Sequence, residues 1–217
     1  MQIKLLFTGP FGTNTYVLYG EEEKNCVVFD PADARTVLSF LEAEDLNCTH
    51  IFLTHGHFDH VMGVAALKKA TGALVCISRE DAASLLPPED GEFIKSMWGY
   101  KIEPSGVDIF AEDGAVLRAA GFELRVVATP GHTPGGVCYV LESPKKVIFA
   151  GDTLFRENVG RADLEGGNAE ALFASVKERL FTLPGDYDVY PGHSGATTLA
   201  HEREHNPYIL CGSSQAW

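Results

Sequence analysis

Residues 53–60 of the chain read Leu53-Thr54-His55-Gly56-His57-Phe58-Asp59-His60. An apolar run at residues 51–53 leads into it and an apolar-periodic run at residues 61–67 follows, which predicts a strand, a tight turn and a helix. Three imidazoles and a carboxylate, the ligands that zinc-like divalent metals bind, therefore gather at the end of a strand. Gly56 permits the sharp bend, and Asp59 lies at the start of the helix, where backbone N–H groups favour an anion. The stretch predicts a metal site.

The composition of the whole chain is that of a soluble globular protein. Of its 217 residues, 45% are hydrophobic and 22% are charged, and we expect one domain over residues 1–217. The net charge of -13 argues against nucleic acid and against anionic membrane surfaces as partners. Neither a signal-peptide core nor an apolar run of bilayer length is present in the sequence. We therefore expect a cytoplasmic protein.

The five cysteines predict free thiols rather than disulfides or a zinc ribbon. They are Cys26, Cys48, Cys76, Cys138 and Cys211. Their number is odd, none form a C-x-x-C pair, and four lie in or beside apolar runs. This usage is typical of buried thiols in a reducing compartment.

Hydrophobic periodicity gives a coarse secondary structure. Strands are predicted at residues 3–7, 15–19, 26–29, 49–53, 73–77, 107–110, 115–118, 122–128, 137–141, 147–150 and 187–190. Helices are predicted around residues 37–46, from the histidine turn to 71, at 169–181 and at 195 to about 206. Residues 79–105 are hard to interpret; their sequence predicts a loop at 87–91 and a short helix or a flap around Phe93 to Trp98.

The order of these elements predicts the fold class. Too many strands follow one another directly for a doubly wound parallel sheet. An α/β (α+β) fold of two mixed β-sheets, packed face to face with helices outside, fits the count better.

Three more stretches place a histidine or an acid after an apolar strand. They end in His132 (residues 126–133), Asp152 (residues 147–153) and His193 (residues 189–193). Each is weak evidence alone, because Pro-Gly-His is more often a simple turn, but functional side chains concentrate in loops at one edge of a rigid sheet. The sum is five histidines and two aspartates, which exceeds the needs of one tetrahedral metal and suits two metals. Asp152, with two oxygens, is the natural bridge between them.

The pattern His55-x-His57-x-Asp59-His60, followed by His132, Asp152 and His193, resembles the metallo-β-lactamase fold superfamily and most of all its glyoxalase II-like (hydroxyacylglutathione hydrolase) group. The resemblance implies a four-layer αβ/βα sandwich with the metals at one edge. It also implies that His55, His57 and His132 hold one metal, that Asp59, His60 and His193 hold the other, and that Asp152 bridges them. Asp59 and Asp152 would then be the catalytic carboxylates.

Further motifs resemble the short bacterial type of this group, which has no C-terminal helical domain. They lie at residues 151–155, 159–163, 191–193, 197–198, 202–203 and 206–207. The resemblance places Asp30 behind the histidine turn, where it would orient the loop or a ligand histidine; a simple turn before Pro31 is the alternative. Arg161 and Asp163 are expected to form a buried ion pair that holds the metal loop, with a surface pair as the alternative.

The resemblance implies a hydrolase that cleaves an acyl thioester such as S-lactoylglutathione. A hydroxide shared by two divalent metal ions would attack the carbonyl; zinc is expected, with iron and manganese as alternatives. A small-molecule thioester is the expected partner. One alternative is a persulfide dioxygenase of the same fold, with one iron on His55, His132 and Asp152. The other is a non-enzymatic metal-binding domain; hydrolysis of β-lactams, lactones or RNA ranks lower.

The segment His201-Glu202-Arg203-Glu204-His205 matches the H-E-x-x-H pattern of zinc peptidases. We expect no zinc there, because the surrounding residues predict an exposed, charged helix and no third ligand follows.

Overall fold

The computed structural model describes residues 1–86 and 103–211. The strands are β1 (Gln2–Thr8), β2 (Thr13–Tyr19), β3 (Asn25–Phe29), β4 (Asn47–Phe52), β5 (Leu74–Ile77), β6 (Ile109–Phe110), β7 (Val116–Ala119), β8 (Phe122–Ala128), β9 (Val137–Leu141), β10 (Val147–Gly151), β11 (Leu154–Phe155), β12 (Asn158–Val159), β13 (Asp188–Pro191) and β14 (Thr197–Thr198). The helices are α1 (Ala34–Ala43), α2 (Phe58–Val61), α3 (Val64–Thr71), α4 (Ala169–Ala174), α5 (Leu199–His205) and α6 (Pro207–Cys211). A 3₁₀ turn at Ala82–Leu85 and a π-helical segment at Ser175–Leu180 complete them.

The strands form two mixed six-stranded sheets. The first has the order β1-β2-β3-β4-β5-β6, antiparallel up to β3 and parallel from β3 onward. The second has the order β14-β13-β10-β9-β8-β7, in which only β10 and β13 pair in parallel. A small hairpin of β11 and β12 lies beside them.

The main core lies between the two sheets. Phe29 of the first sheet stacks on Phe149 of the second, with ring centroids 3.9 Å apart, and Phe52 stacks on Tyr139 at 5.0 Å. Because side chains alternate along a strand, the neighbours of these residues point outward and pack under the helices. Strands buried on both faces are therefore continuously apolar, as in β9 and β10.

A second apolar layer lies on the outer face of each sheet, where the helices pack. Val28 and Ile51 face α1 and α3 on the outside of the first sheet, while Ile148 and Ala150 face the α4 region on the outside of the second. The prediction of two mixed sheets with helices outside is confirmed.

Two of the errors in the predicted helix boundaries come from tertiary contacts. The helix after the histidine turn breaks at Gly63, whose N–H donates to the carbonyl of Pro31 at 2.9 Å. A Cβ at Gly63 would lie 2.4 Å from that oxygen, so the backbone approach requires glycine. The terminal helix starts at Leu199 rather than 195, because Thr197 and Thr198 pair with β13 first.

Four cysteines, Cys26, Cys48, Cys76 and Cys138, are buried and free in the structure. The predicted flap at residues 93–98 and the loop at 87–91 lie outside the described residues. Within residues 1–86 and 103–211, none of the helices has the length and apolarity needed to cross a bilayer.

Candidate metal centre

The candidate ligands lie where strands of the two sheets end. The histidine turn follows β4, His132 follows β8, Asp152 follows β10 and His193 follows β13. The strands β8, β10 and β13 run in the same direction, since β8 and β10 are both antiparallel to β9 and β13 is parallel to β10. Their carboxyl ends therefore share one edge. The loops at this edge bring together all seven side chains that the sequence predicts to be metal ligands.

The first group consists of His55, His57 and His132, whose ligand atoms all lie within 4.8 Å of one another. The Nδ1 atom of His57 is 2.8 Å from Nε2 of His132. The Nε2 atom of His55 is buried and has no hydrogen-bond partner. A buried nitrogen without a partner lowers the stability of the fold. The neighbouring ligand atoms of His57 and His132 therefore favour a metal ion as the partner of this nitrogen.

The other ring nitrogens of this group indicate which tautomers are present. Nδ1 of His132 lies 2.6 Å from the carbonyl oxygen of Arg161, which can only accept, so this nitrogen carries the proton. Nδ1 of His55 lies 3.0 Å from Oγ1 of Thr54, and that hydroxyl donates to Asp30 at 2.7 Å. Both histidines are thereby left with an unprotonated Nε2 that faces the centre.

The second group consists of Asp59, His60 and His193. Nε2 of His193 lies 3.2 Å from Oδ2 of Asp59 and 3.3 Å from Nε2 of His60. Nδ1 of His60 is 3.1 Å from Oδ2 of Asp30, which favours a proton on that nitrogen and leaves Nε2 for a metal. Asp30 thus lies behind the histidine turn and reaches His60 directly and His55 through Thr54.

The Asp152 carboxylate lies between the two groups. Its Oδ2 is 3.5 Å from Nε2 of His132 and 3.7 Å from Nε2 of His193. Its Oδ1 is 3.6 Å from Nε2 of His60 and is buried without a hydrogen-bond partner. One carboxylate can therefore reach ligands of both groups.

The two groups differ in charge. Burial lowers the pKa of His57 to about 4 and, together with the neighbouring imidazoles, holds the pKa of His55 well below its usual value. For His60, burial also favours the neutral form, but the carboxylates of Asp152, Asp30 and Asp59 prevail and raise its pKa to about 9. Burial opposes the charged form of Asp59, yet its hydrogen bond to His193 lowers the pKa of that carboxyl.

These features fit divalent metal binding. The donor set is imidazole and carboxylate. Nε2 of His55 and Oδ1 of Asp152 face inward without partners, and the outward-facing nitrogens of His55 and His132 are fixed by hydrogen bonds. The fold and these groups imply a divalent metal.

If each group binds a metal ion, acidification is expected to release the ion of the second group first. Metal binding must displace a proton from His60, whose pKa is about 9, whereas His57, at about 4, is already neutral at pH 6. Between pH 8 and pH 6 the affinity of the second group should fall about tenfold per pH unit for each proton displaced, while that of the first group changes little. Metal content after dialysis at pH 6, 7 and 8 tests this, and simultaneous loss of both metals would contradict it.

Several residues that support the site were missed from the sequence. The hydroxyl of Thr13 donates to the carbonyl of Asp59 at 3.0 Å. The Asn14 side chain donates to the carbonyls of Pro191 and Ser194 at 2.9 and 2.8 Å, which holds the turn that carries His193. The carboxylate of Asp81 connects two ligand loops. All three act across long sequence separations, so no local pattern reveals them.

The predicted burial of the Arg161–Asp163 pair is wrong. The ion pair forms at 2.8 Å, but the two side chains are 62% and 44% exposed, because both residues lie in the loop between β12 and α4. Arg161 contacts the metal centre through its backbone carbonyl, which holds His132.

Replacing Arg161 by Ala is accordingly expected to leave the number of bound metals unchanged, because the carbonyl that orients His132 remains. Metal analysis of the purified variant checks this result. A loss of metal would mean that the exposed guanidinium, and not the backbone, supports the site.

The expectation of an exposed helix at the H-E-x-x-H segment is also partly wrong. Glu202 is fully buried and accepts hydrogen bonds from Glu157 N–H, Thr197 Oγ1 and Asn206 Nδ2. These hydrogen bonds join the turn between β11 and β12, the strand β14 and the end of α5. In the described part of the chain, these histidines belong to none of the clusters with metal-binding geometry.

Comparison with known proteins places these observations in a family. The metallo-beta-lactamase superfamily profile matches residues 8–193. The hydroxyacylglutathione hydrolase GloC of Haemophilus influenzae is 31% identical over 221 residues, covering 96% of this chain and 98% of that protein.

Solved structures of similar proteins support the same family. The BLEG-1 B3 metallo-beta-lactamase superposes with a TM-score of 0.87 at 34% identity, over 96% of this chain and 99% of that one. ETHE1 from Myxococcus xanthus gives 0.80 at 32% identity over 98% and 86%, and TTHA1623 in a di-iron-bound form gives 0.80 at 36% over 94% and 99%. The family and fold that the sequence motifs implied are confirmed, and the chain belongs to the metallo-β-lactamase superfamily.

Proposed function

We propose that this protein is a binuclear metal-dependent hydrolase that cleaves small-molecule acyl thioesters, as glyoxalase II enzymes do. The observation that carries the proposal is the second group. Asp59, His60 and His193 converge within 3.2–3.8 Å of one another, beside a carboxylate that also reaches the first group. A reaction that needs one metal would not require this second set.

In this proposal His55, His57 and His132 hold one ion, Asp59, His60 and His193 hold the other, and Asp152 contributes to both. When bound, such ions lower the pKa of water and polarise a substrate carbonyl. Zinc is the metal we expect, with iron and manganese as alternatives. The similarity to GloC, a hydroxyacylglutathione hydrolase, supports the thioester, and the di-iron form of TTHA1623 supports two ions.

The chain's own residues orient the ligands. Asp30 keeps the inward-facing Nε2 of His55 free of a proton through Thr54, and its carboxylate, 3.1 Å from Nδ1 of His60, favours a proton on that outward-facing nitrogen. The hydroxyls of Tyr16 and Tyr139, behind the site, donate to the carbonyls of Pro191 and Leu53, and burial raises the pKa of both. Neither is placed to act as a general acid. A thiolate, with a solution pKa of about 8.5, leaves without one.

The second candidate is a persulfide dioxygenase with a single iron on His55, His132 and Asp152. The observation that favours it is the similarity to ETHE1 over 98% of the chain. The two-histidine, one-carboxylate set it requires is present among the seven residues.

Three assays on one metal-analysed preparation separate the candidates. We expect two metals per chain and loss of thioester absorbance with S-lactoylglutathione, without oxygen consumption. One iron per chain with oxygen uptake on glutathione persulfide would replace the hydrolase by the dioxygenase, and cleavage of a chromogenic β-lactam alone would assign the substrate class of BLEG-1. Bound metal with no activity in all three would favour a non-enzymatic metal-binding domain.

A further inference from the structure

Asp81 lies beside the metal centre without reaching a metal-ligand atom. It precedes the 3₁₀ turn Ala82–Leu85 and is only 7% exposed. Its own backbone is fixed at both ends, because its N–H donates to Oγ of Ser78 at 3.3 Å and its carbonyl accepts from Oγ of Ser84 at 2.7 Å. The carboxylate therefore has a defined position.

Both carboxylate oxygens are used, and all their partners belong to ligand loops. Oδ2 accepts from the N–H of Gly56 at 2.8 Å and from Oγ1 of Thr133 at 2.7 Å. Oδ1 accepts from the N–H of Gly135 at 2.8 Å. Gly56 stands between His55 and His57, and Thr133 follows His132 directly. A single side chain thus fastens together the two loops that carry the whole first group.

The two glycines allow this close approach. A Cβ at Gly135 would lie 2.2 Å from Oγ of Ser78 and 2.5 Å from Oδ1 of Asp81. A Cβ at Gly56 would lie 2.6 Å from Oγ of Ser84. Both loops pack directly against residues 78–84, the segment that carries Asp81. The distance between the two loops therefore depends on the hydrogen bonds that Asp81 accepts from Gly56, Thr133 and Gly135.

We propose that Asp81 is a positioning residue that sets the metal affinity of the first group, through its hydrogen bonds to Gly56, Thr133 and Gly135, and leaves that of the second group unaffected. The proposal rests on the proposed function only in that both require His55, His57 and His132 to bind a metal. Residues behind metal ligands typically change metal affinity by about 10–100-fold when they are replaced.

Asp81→Asn is the informative change because it keeps the shape and removes one acceptor. If the new NH₂ stands at the Oδ1 position, it meets the N–H of Gly135; if it stands at the Oδ2 position, it meets the N–H of Gly56. In either orientation a donor faces a donor, and one loop is released.

Two single variants allow the metal affinity of each group to be measured separately. In a His193→Ala background the remaining metal binds the first group, and in a His57→Ala background it binds the second. Affinity for Co²⁺, measured by competition with a chelator, is expected to fall about 10–100-fold on adding Asp81→Asn in the first background and to stay within about threefold in the second. The absorption spectrum of bound Co²⁺ should change only in the first.

A readout on the metal-free full-length protein distinguishes positioning from general loss of structure. In Asp81→Asn, hydrogen exchange should become faster at the amide of Gly56 or of Gly135, whichever faces the new NH₂ group. The matched control is Glu202→Gln, which alters another buried carboxylate with three donors, outside the ligand loops.

The control should leave both the exchange at these glycines and the Co²⁺ affinity unchanged. Unchanged first-group affinity in Asp81→Asn, or equal losses in both backgrounds or in Glu202→Gln, would overturn the proposal. Because metal binding and exchange are measured without substrate, a failed thioesterase assay would leave this result standing.

Discussion

Replacing Asp152 by Ala is expected to lower thioester hydrolysis on the order of 10³-fold and to reduce the content of both metals. Its Oδ2 lies within 3.5 and 3.7 Å of histidines from the two groups, so its removal takes a ligand from both at once. It also removes one of the carboxylates that balance the charge of His60. Metal analysis and steady-state kinetics on the same preparation measure both effects.

The matched control is Asp163→Ala, which removes an exposed carboxylate on the following loop. It is expected to retain both metals and hydrolytic activity. Full metal content in Asp152→Ala would show that this carboxylate lies near the ions without holding them, and would contradict the bridging role.

Replacing His193 by Ala is expected to remove one of the two metals and to lower hydrolysis by about 10²-fold or more. The second group would retain only Asp59 and His60, while the first group keeps its three histidines and the nearby Asp152. Metal stoichiometry and activity on S-lactoylglutathione give the two readouts. His205→Ala, which removes an exposed histidine of α5, serves as the control and should change neither.

This variant also separates the two candidate functions. A mononuclear iron site on His55, His132 and Asp152 does not use His193. Oxygen uptake with persulfide that survives His193→Ala, together with one metal per chain before and after the change, would rule out the binuclear hydrolase.

The sequence predicted the longer strands well because their signal is local, and it missed the two-residue strands β11, β12 and β14. Alternation and apolar runs depend on which faces of a strand are buried, and both faces of β9 and β10 are covered. It predicted helix boundaries poorly where a distant segment intervenes. The break at Gly63 depends on the carbonyl of Pro31, and the late start of α5 depends on the pairing of Thr197 with β13.

Exposure was predicted less well than position. Arg161 and Asp163 do form the expected ion pair, but in solvent, and Glu202 is buried although its helix is charged. Charge and spacing indicate which groups can pair along a chain. They do not indicate which side of a loop or helix faces another layer, because that depends on how the layers pack.

Imidazoles and carboxylates placed after apolar strands are visible as local motifs, so the residues alone indicated which side chains could bind metal. The folded chain was needed to show which nitrogen of His55 and His132 faces inward, and that Asp81 joins their loops. Ligand chemistry is a property of single residues, whereas these contacts depend on packing. Hydrogen bonds such as that from Thr133 to Asp81 join groups 52 positions apart, and only the packing of the two sheets brings them within reach.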